Sequence, residues 1–121
     1  MSAIPSNVNL YQRQSATSRK LASRLALVAN TVVFECPSGR SILIPTIVIA
    51  NTNSSRVTFR LFHLLPNETA GTSNALLYDV VLEANTSLFL DSRVPMNAGD
   101  RIVAYASTAS VVAITLYGED R

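Results

Sequence analysis

Residues 47–62, "IVIANTNSSRVTFRLF", set two apolar runs on either side of a short polar knot. Asn51-Thr-Asn-Ser-Ser55 has turn chemistry, because asparagine tolerates left-handed backbone and its side chain can stand in for a turn hydrogen bond. In the second run Val57, Phe59 and Leu61 alternate with Arg56, Thr58 and Arg60. A period of two puts the apolar side chains on one face and the two guanidinium groups on the other, as a half-buried strand requires. The stretch therefore predicts two strands and their connection. After Leu61 the alternation slips, since Phe62 and Leu64 follow, and this predicts a bulge near Leu61.

Working outward, the same signals repeat. Upstream, "TVVFEC" is rich in β-branched and aromatic residues and stops at the turn Pro37-Ser-Gly39. "SILIPTIVIAN" is nearly continuous apolar, the pattern of a strand covered on both faces, with Pro45 marking an edge, bulge or bend. Downstream, "PNETAGTSN" is the longest polar break, and "ALLYDVVLE" resumes the alternation. Asn85-Thr86 turns the chain into "SLFLD", and Val94 to Asp100 turns it again. The last pair, "RIVAYAS" and "VVAITLYG", meets through the small residues Ser107 to Ser110. About seven short strands with turn signals between them and no strong helix predict an all-β fold, an antiparallel β-sandwich.

Before Thr31 the pattern changes. Residues 1 to about 20 show no hydrophobic period, and Ile4-Pro5 favours extended backbone there. Thr17 or Ser18 could cap a short helix with Leu21, Leu25 and Val28 on one face; the same residues could instead lead directly into a first strand. The expected organisation is an extended basic N-terminal arm over residues 1–24 and a β-sandwich domain over 25–121. Charge follows the same division. Residues 1–34 hold Arg13, Arg19, Lys20 and Arg24 with no acid, whereas residues 35–121 hold six arginines against eight acids, net −2. A cationic segment of this kind suits docking on an acidic protein surface or on nucleic acid.

Length and composition bound the rest. A chain of 121 residues fits one domain with a real core. Hydrophobic residues make up 48% and charged residues only 15%, so the surface must be rich in Ser, Thr and Asn, which suits a protein packed against copies or partners. Cys36 is alone and forms no internal disulfide, which excludes a disulfide scaffold. The polar start, Met1 to Lys20, offers no apolar segment for a signal peptide or membrane helix, so cytoplasmic assembly is expected and a membrane partner is not. Asn53-Ser-Ser, Asn67-Glu-Thr and Asn85-Thr-Ser match the glycosylation sequon, and in that setting they read as turns.

Little here can carry catalysis. His63 is the only imidazole and sits inside a strand between Phe62 and Leu64, the usual place of a structural histidine. Asp79, Glu83, Asp91 and Asp100 could supply a carboxylate pair, but Asp91 and Asp100 are placed as acids that cap turns at strand ends. No metal-ligand spacing and no phosphate-cradling glycine motif is present, so no catalytic residue, cofactor, metal or small-molecule substrate is expected. Arg56, Arg60 and Phe62 could hint at a single-strand nucleic-acid platform, yet Phe62 is more economically core and the body is net acidic.

"VVFECPSGRSILIPTIVIANTNSS" followed by "LEANTSLFLDSRVPMNAGDRIVAYASTASVVAITLYGED" resembles a small β-sandwich domain of tailed-bacteriophage virion proteins. The likeness lies in the order of features between Thr31 and Gly118. A strand ends in Pro, a small residue, Gly and Arg; an apolar strand closes on Asn-Thr; an Ala-Gly-Asp turn precedes "AYAST". Pro37, Gly39, Arg40, Asn51, Gly99 and Asp100 match its turn positions and speak to fold. The resemblance implies a non-enzymatic virion component, first of all a capsid decoration (cement) protein on the major capsid protein shell, multimeric, with a homotrimer as first guess. A tail, neck or baseplate component is the runner-up, and a host-receptor or glycan-binding module with residues 66–74 facing outward is the third reading. In the cement reading the partner-binding residues are Ile4, Leu10, Tyr11, Arg13, Arg19, Lys20 and Arg24, the apolar ones burying against capsid protein and the cations pairing with its carboxylates.

Overall fold

The computed structural model describes residues 18–121. Eight strands form: β1 (Arg19–Leu25), β2 (Thr31–Glu35), β3 (Ile42–Asn51), β4 (Val57–Leu64), β5 (Ala75–Leu82), β6 (Ser87–Met96), β7 (Arg101–Ala106) and β8 (Val112–Asp120). They make two antiparallel four-stranded sheets, sheet I in the order β1-β8-β3-β6 and sheet II in the order β2-β7-β4-β5. Within them β1 pairs with β8, β2 with β7, β3 with β6 and β4 with β5. The chain is thus one long antiparallel ribbon, folded back at residues 65–74 and wound so that its halves face each other. This winding defines a jelly roll.

The antiparallel sandwich expected from the alternation is present, with one strand more than the seven counted. The addition is β1, from the segment whose sequence allowed a short helix or a direct lead into a first strand. It was hard to see because it is an edge strand, mostly exposed, whose bulge between Lys20 and Ala22 turns only Leu21 and Ala22 toward the core. The sequence alone groups Arg19, Lys20 and Arg24 with the arm; the structure puts them in sheet I.

In two apolar runs the expected irregularities are present, at Pro45 and around Leu61, and the structure adds what the apolar residues there do. In β3 the core-facing residues are Ile42 and Ile44, then Ile47, Ile49 and Asn51, so the phase changes at Pro45. Its pairing with β8 skips there, between Leu43 and Thr46. Proline cannot donate a ladder hydrogen bond, and a bulge is where a central strand tolerates it. The run reads as continuous because Leu43, Val48 and Ala50 on the opposite face are apolar as well, and that face is half-buried, not covered. In β4 the register against β7 is unbroken from Phe59 to Leu64, and the irregularities lie between β4 and β5, around Leu61. Phe62 and Leu64 are apolar because residues 65–74 fold over them, making a second small core with Val103, Ala70 and Ala75.

The main core lies between the sheets and includes Phe59, Leu61, Ile102, Ile114 and Leu116, all fully buried. Burying each such side chain contributes about 1.5–3 kcal/mol, which offsets the ordering of the loops. Those loops use the turn residues the sequence advertises. Gly39 and Gly99 take left-handed backbone (φ 76° and 86°), and so do Asn67 and Asn85 (φ 72° and 55°), two of the three sequon asparagines. Asn51 is buried, and its amide donates to the carbonyls of Ser55, Leu82 and Glu83, each at 3.1 Å, clamping the β3–β4 turn to the end of β5. One boundary differs from expectation: β6 continues through Ser92 and Arg93 to Met96, so Asp91 lies within a strand and not at its end.

Candidate functional site

Alternation along four neighbouring strands builds the outer face of sheet I. Registers align Leu25, Ala113, Ala50 and Ser87 in one row and Ser23, Thr115, Val48 and Phe89 in the next. A third row runs from Lys20 through Tyr117 and Thr46 to Asp91. Phe89 is 71% exposed, Leu25 45% and Tyr117 37%. Single exposed apolar residues are ordinary on any protein. A contiguous set on one sheet face, rimmed by Lys20 and Asp91, has the composition of a docking surface.

The cations expected to bind a partner are not gathered there. Arg19 lies 3.5 Å from the Asp120 carboxylate, which also accepts a 2.5 Å hydrogen bond from Arg40. That hydrogen bond from Arg40 is the main influence holding the Asp120 carboxyl below its ordinary range, with Arg19 adding a smaller pull. Arg19 is therefore occupied within its own sheet. Lys20 faces outward beside Tyr117, whereas Arg24 stands opposite Ile114 on the alternate phase and reaches solvent at the sheet edge. Neither makes an ion pair among the described residues. Ile4, Leu10, Tyr11 and Arg13 lie outside the described residues.

Leu25, Phe89 and Tyr117, the apolar anchors of this face, were missed by reasoning from sequence. A signal existed. "SLFLD" sets three apolar residues in succession, so whichever face meets the core, one large side chain must point away from it. Leu88 and Leu90 pack on the core, and Phe89 is the one left outside.

Other polar clusters are tied up in holding the fold. His63 Nε2 lies 3.3 Å from Asp100 Oδ2, and the same oxygen accepts the Asn97 backbone N–H at 3.0 Å. The buried Cys36 thiol donates to the carbonyls of Arg40 and Met96. Burial, then the nearby Asp100 charge, pushes that thiol up from its ordinary range, which keeps it protonated and unreactive. On sheet II a shallow cavity of about 210 Å³ opens beside residues 65–74, with Asn30, Val32, Glu68 and Arg101 in its wall. It is smaller than the roughly 300–1,000 Å³ of ordinary ligand pockets. Arg101 is already engaged, donating to the carbonyls of Leu65 and Glu68. No three His, Cys, Asp or Glu side chains converge as a metal site among the described residues, and no helix there is long and apolar enough to cross a membrane.

What the fold and this face define is an all-β sandwich with large apolar side chains exposed on one sheet. Comparison with protein-family models, curated proteins and solved structures gives no match for the chain.

Proposed function

We propose that the chain is a structural virion protein of a tailed bacteriophage, a non-enzymatic capsid decoration protein that sits on the assembled shell. The observation that carries this reading is the uncovered outer face of sheet I, where Phe89, Leu25 and Tyr117 stand exposed among small and hydroxyl side chains, on a chain poor in charge. Two further points support it. The order of motifs from Thr31 to Gly118 resembles virion β-sandwich proteins, and the jelly roll recurs in viral capsid and lectin domains, a fold-level analogy. In this reading the face buries against major capsid protein, Lys20 pairs with an acid at its rim, and residues 1–17 add a tethered second contact.

The test is co-sedimentation of the purified chain with phage heads and, separately, with tails, followed by heating of the decorated heads. The chain is expected to bind heads and raise their resistance to heat, and Leu25→Glu with Tyr117→Ser is expected to abolish binding while the domain stays folded. Binding to tails alone, or undiminished head binding by the double variant, would overturn the proposal.

A further inference from the structure

Each sheet of a sandwich ends in strands whose outer N–H and C=O groups lack partners, and proteins blunt such edges with charge, bulges, proline or brevity. Three of the four edges here are blunted. β1 carries Arg19, Lys20 and Arg24 and the bulge at Leu21. β2 has five residues with an irregularity between Val32 and Phe34. β5 is interrupted twice, with Asp79 in left-handed backbone (φ 52°). β6 is blunted only in its second half, by the irregularity after Asp91, by Arg93 at φ 47°, and by Pro95. Its first half, Ser87 to Asp91, pairs regularly with β3 and has no strand on its other side among the described residues.

The hydrogen-bond phase of this half is fixed. The Asn51 N–H donates to the Thr86 carbonyl at 2.8 Å, and in an antiparallel ladder every second residue bonds the same neighbour. Thr86, Leu88 and Leu90 therefore turn their backbone groups to β3, and Ser87, Phe89 and Asp91 turn theirs outward. The regularly paired segment is bounded by the turn at Asn85 and by the distortion at Arg93, and Phe89 is its midpoint.

We infer that two copies of this chain pair through the free β6 edges, antiparallel about a two-fold axis at Phe89, joining their first sheets into one of eight strands. Symmetry about the midpoint matches regular segment to regular segment with none left over. It sets Phe89 against Phe89 of the second copy, an aromatic cross-strand pair, and Ser87 against Asp91 of the second copy, so no like charges meet. Three outward residues on each copy supply about six backbone hydrogen bonds. Such a self-complementary contact closes as a dimer, not as the trimer taken as first guess from the resemblance. The inference stands apart from the virion reading because it concerns the chain in isolation. If both hold, pairing sets two apolar faces side by side.

The experiment is sedimentation equilibrium of the full chain over a concentration series, with disulfide trapping as a register test. Wild type is expected to pass from monomer to dimer, and Phe89→Lys, which opposes two cations at the axis, to weaken the dimer about tenfold or more. Phe89→Cys is expected to oxidise to a covalent dimer, because directly opposed hydrogen-bonded residues sit about 5.5 Å apart at Cα, within disulfide range. Asp91→Cys faces Ser87 of the second copy and should not cross-link. A wild type that stays monomeric, which would leave the edge to a strand of some other chain, overturns the inference. So does a Phe89→Lys dimer as tight as wild type, or cross-linking no better at position 89 than at 91.

Discussion

The two sheets share one alternation but finish their outer faces differently. On sheet II, residues 65–74 cover Phe62, Leu64 and Val103. Beside them, Arg60 stacks 4.3 Å from the Tyr78 ring centre and 4.8 Å from that of Tyr105, and its guanidinium bonds both oxygens of Asp79 at 2.6 and 3.3 Å. Phe62 meets the Tyr78 ring edge to face. On this part of sheet II the chain supplies its own partners, at the cost of a left-handed backbone at Asp79 of about 1–2 kcal/mol, while Val32, Tyr78 and Val81 stay partly in solvent. Sheet I has no such cover among the described residues, and its Phe89 stands in solvent. Apolar residues on an outer face therefore carry two meanings, and only the chain's path over them tells which applies.

The sharpest way to break this contrast is to truncate one phenylalanine on each face. Phe62→Ala, at a position 2% exposed, is expected to cost about 3–5 kcal/mol in urea unfolding, whereas Phe89→Ala in dilute solution should stay within about 0.5 kcal/mol of wild type. Equal losses would mean that both faces are internal.

A smaller effect probes how β1 closes sheet I. A Cβ on Gly118 would come 2.6 Å from the Leu43 carbonyl oxygen and 2.6 Å from Leu21 Cδ1. The leucine can turn aside but the backbone oxygen cannot, so Gly118→Ala should cost about 1–3 kcal/mol. Hydrogen exchange should show the lost protection concentrated in β1 and β8, while sheet II keeps its own.

The smallest effect concerns charge. Because the Asp120 carboxyl is held below its unfolded value, its contribution is present above the ordinary carboxylate range of about 4 and is lost as pH falls through the lower folded value. Asp120→Asn should therefore melt below wild type at neutral pH, and the gap should close in acid. A gap unchanged by acid would show that Arg40 and Arg19 do not act through this carboxylate.

Turn chemistry made most of the fold readable in advance. Pro37 to Gly39, Asn51 to Ser55 and the Gly99-Asp100 turn stand where the chain reverses, and Val57, Phe59 and Leu61 face inward as their spacing dictates. What stayed hidden depends on long-range pairing. β1 buries too little to leave a period, and the strand order follows from a winding that no local window records. The candidate face was least visible. Phe89 looks like any core phenylalanine until Leu88 and Leu90 are seen to have taken the inner side. Attention to positive charge led to Arg19, whose partner Asp120 lies 101 positions further along the chain.

Pro45 gives β3 the character of two short strands spliced out of step. Ile42 and Ile44 keep one parity and Ile47 and Ile49 the other, while β6 and β8 on either side hold a single parity throughout. The splice works like a comma in a two-letter code. Deleting that one residue would bring Ile42, Ile44, Ile47 and Ile49 into a single unbroken alternation and slide half of the central strand one step along its neighbours.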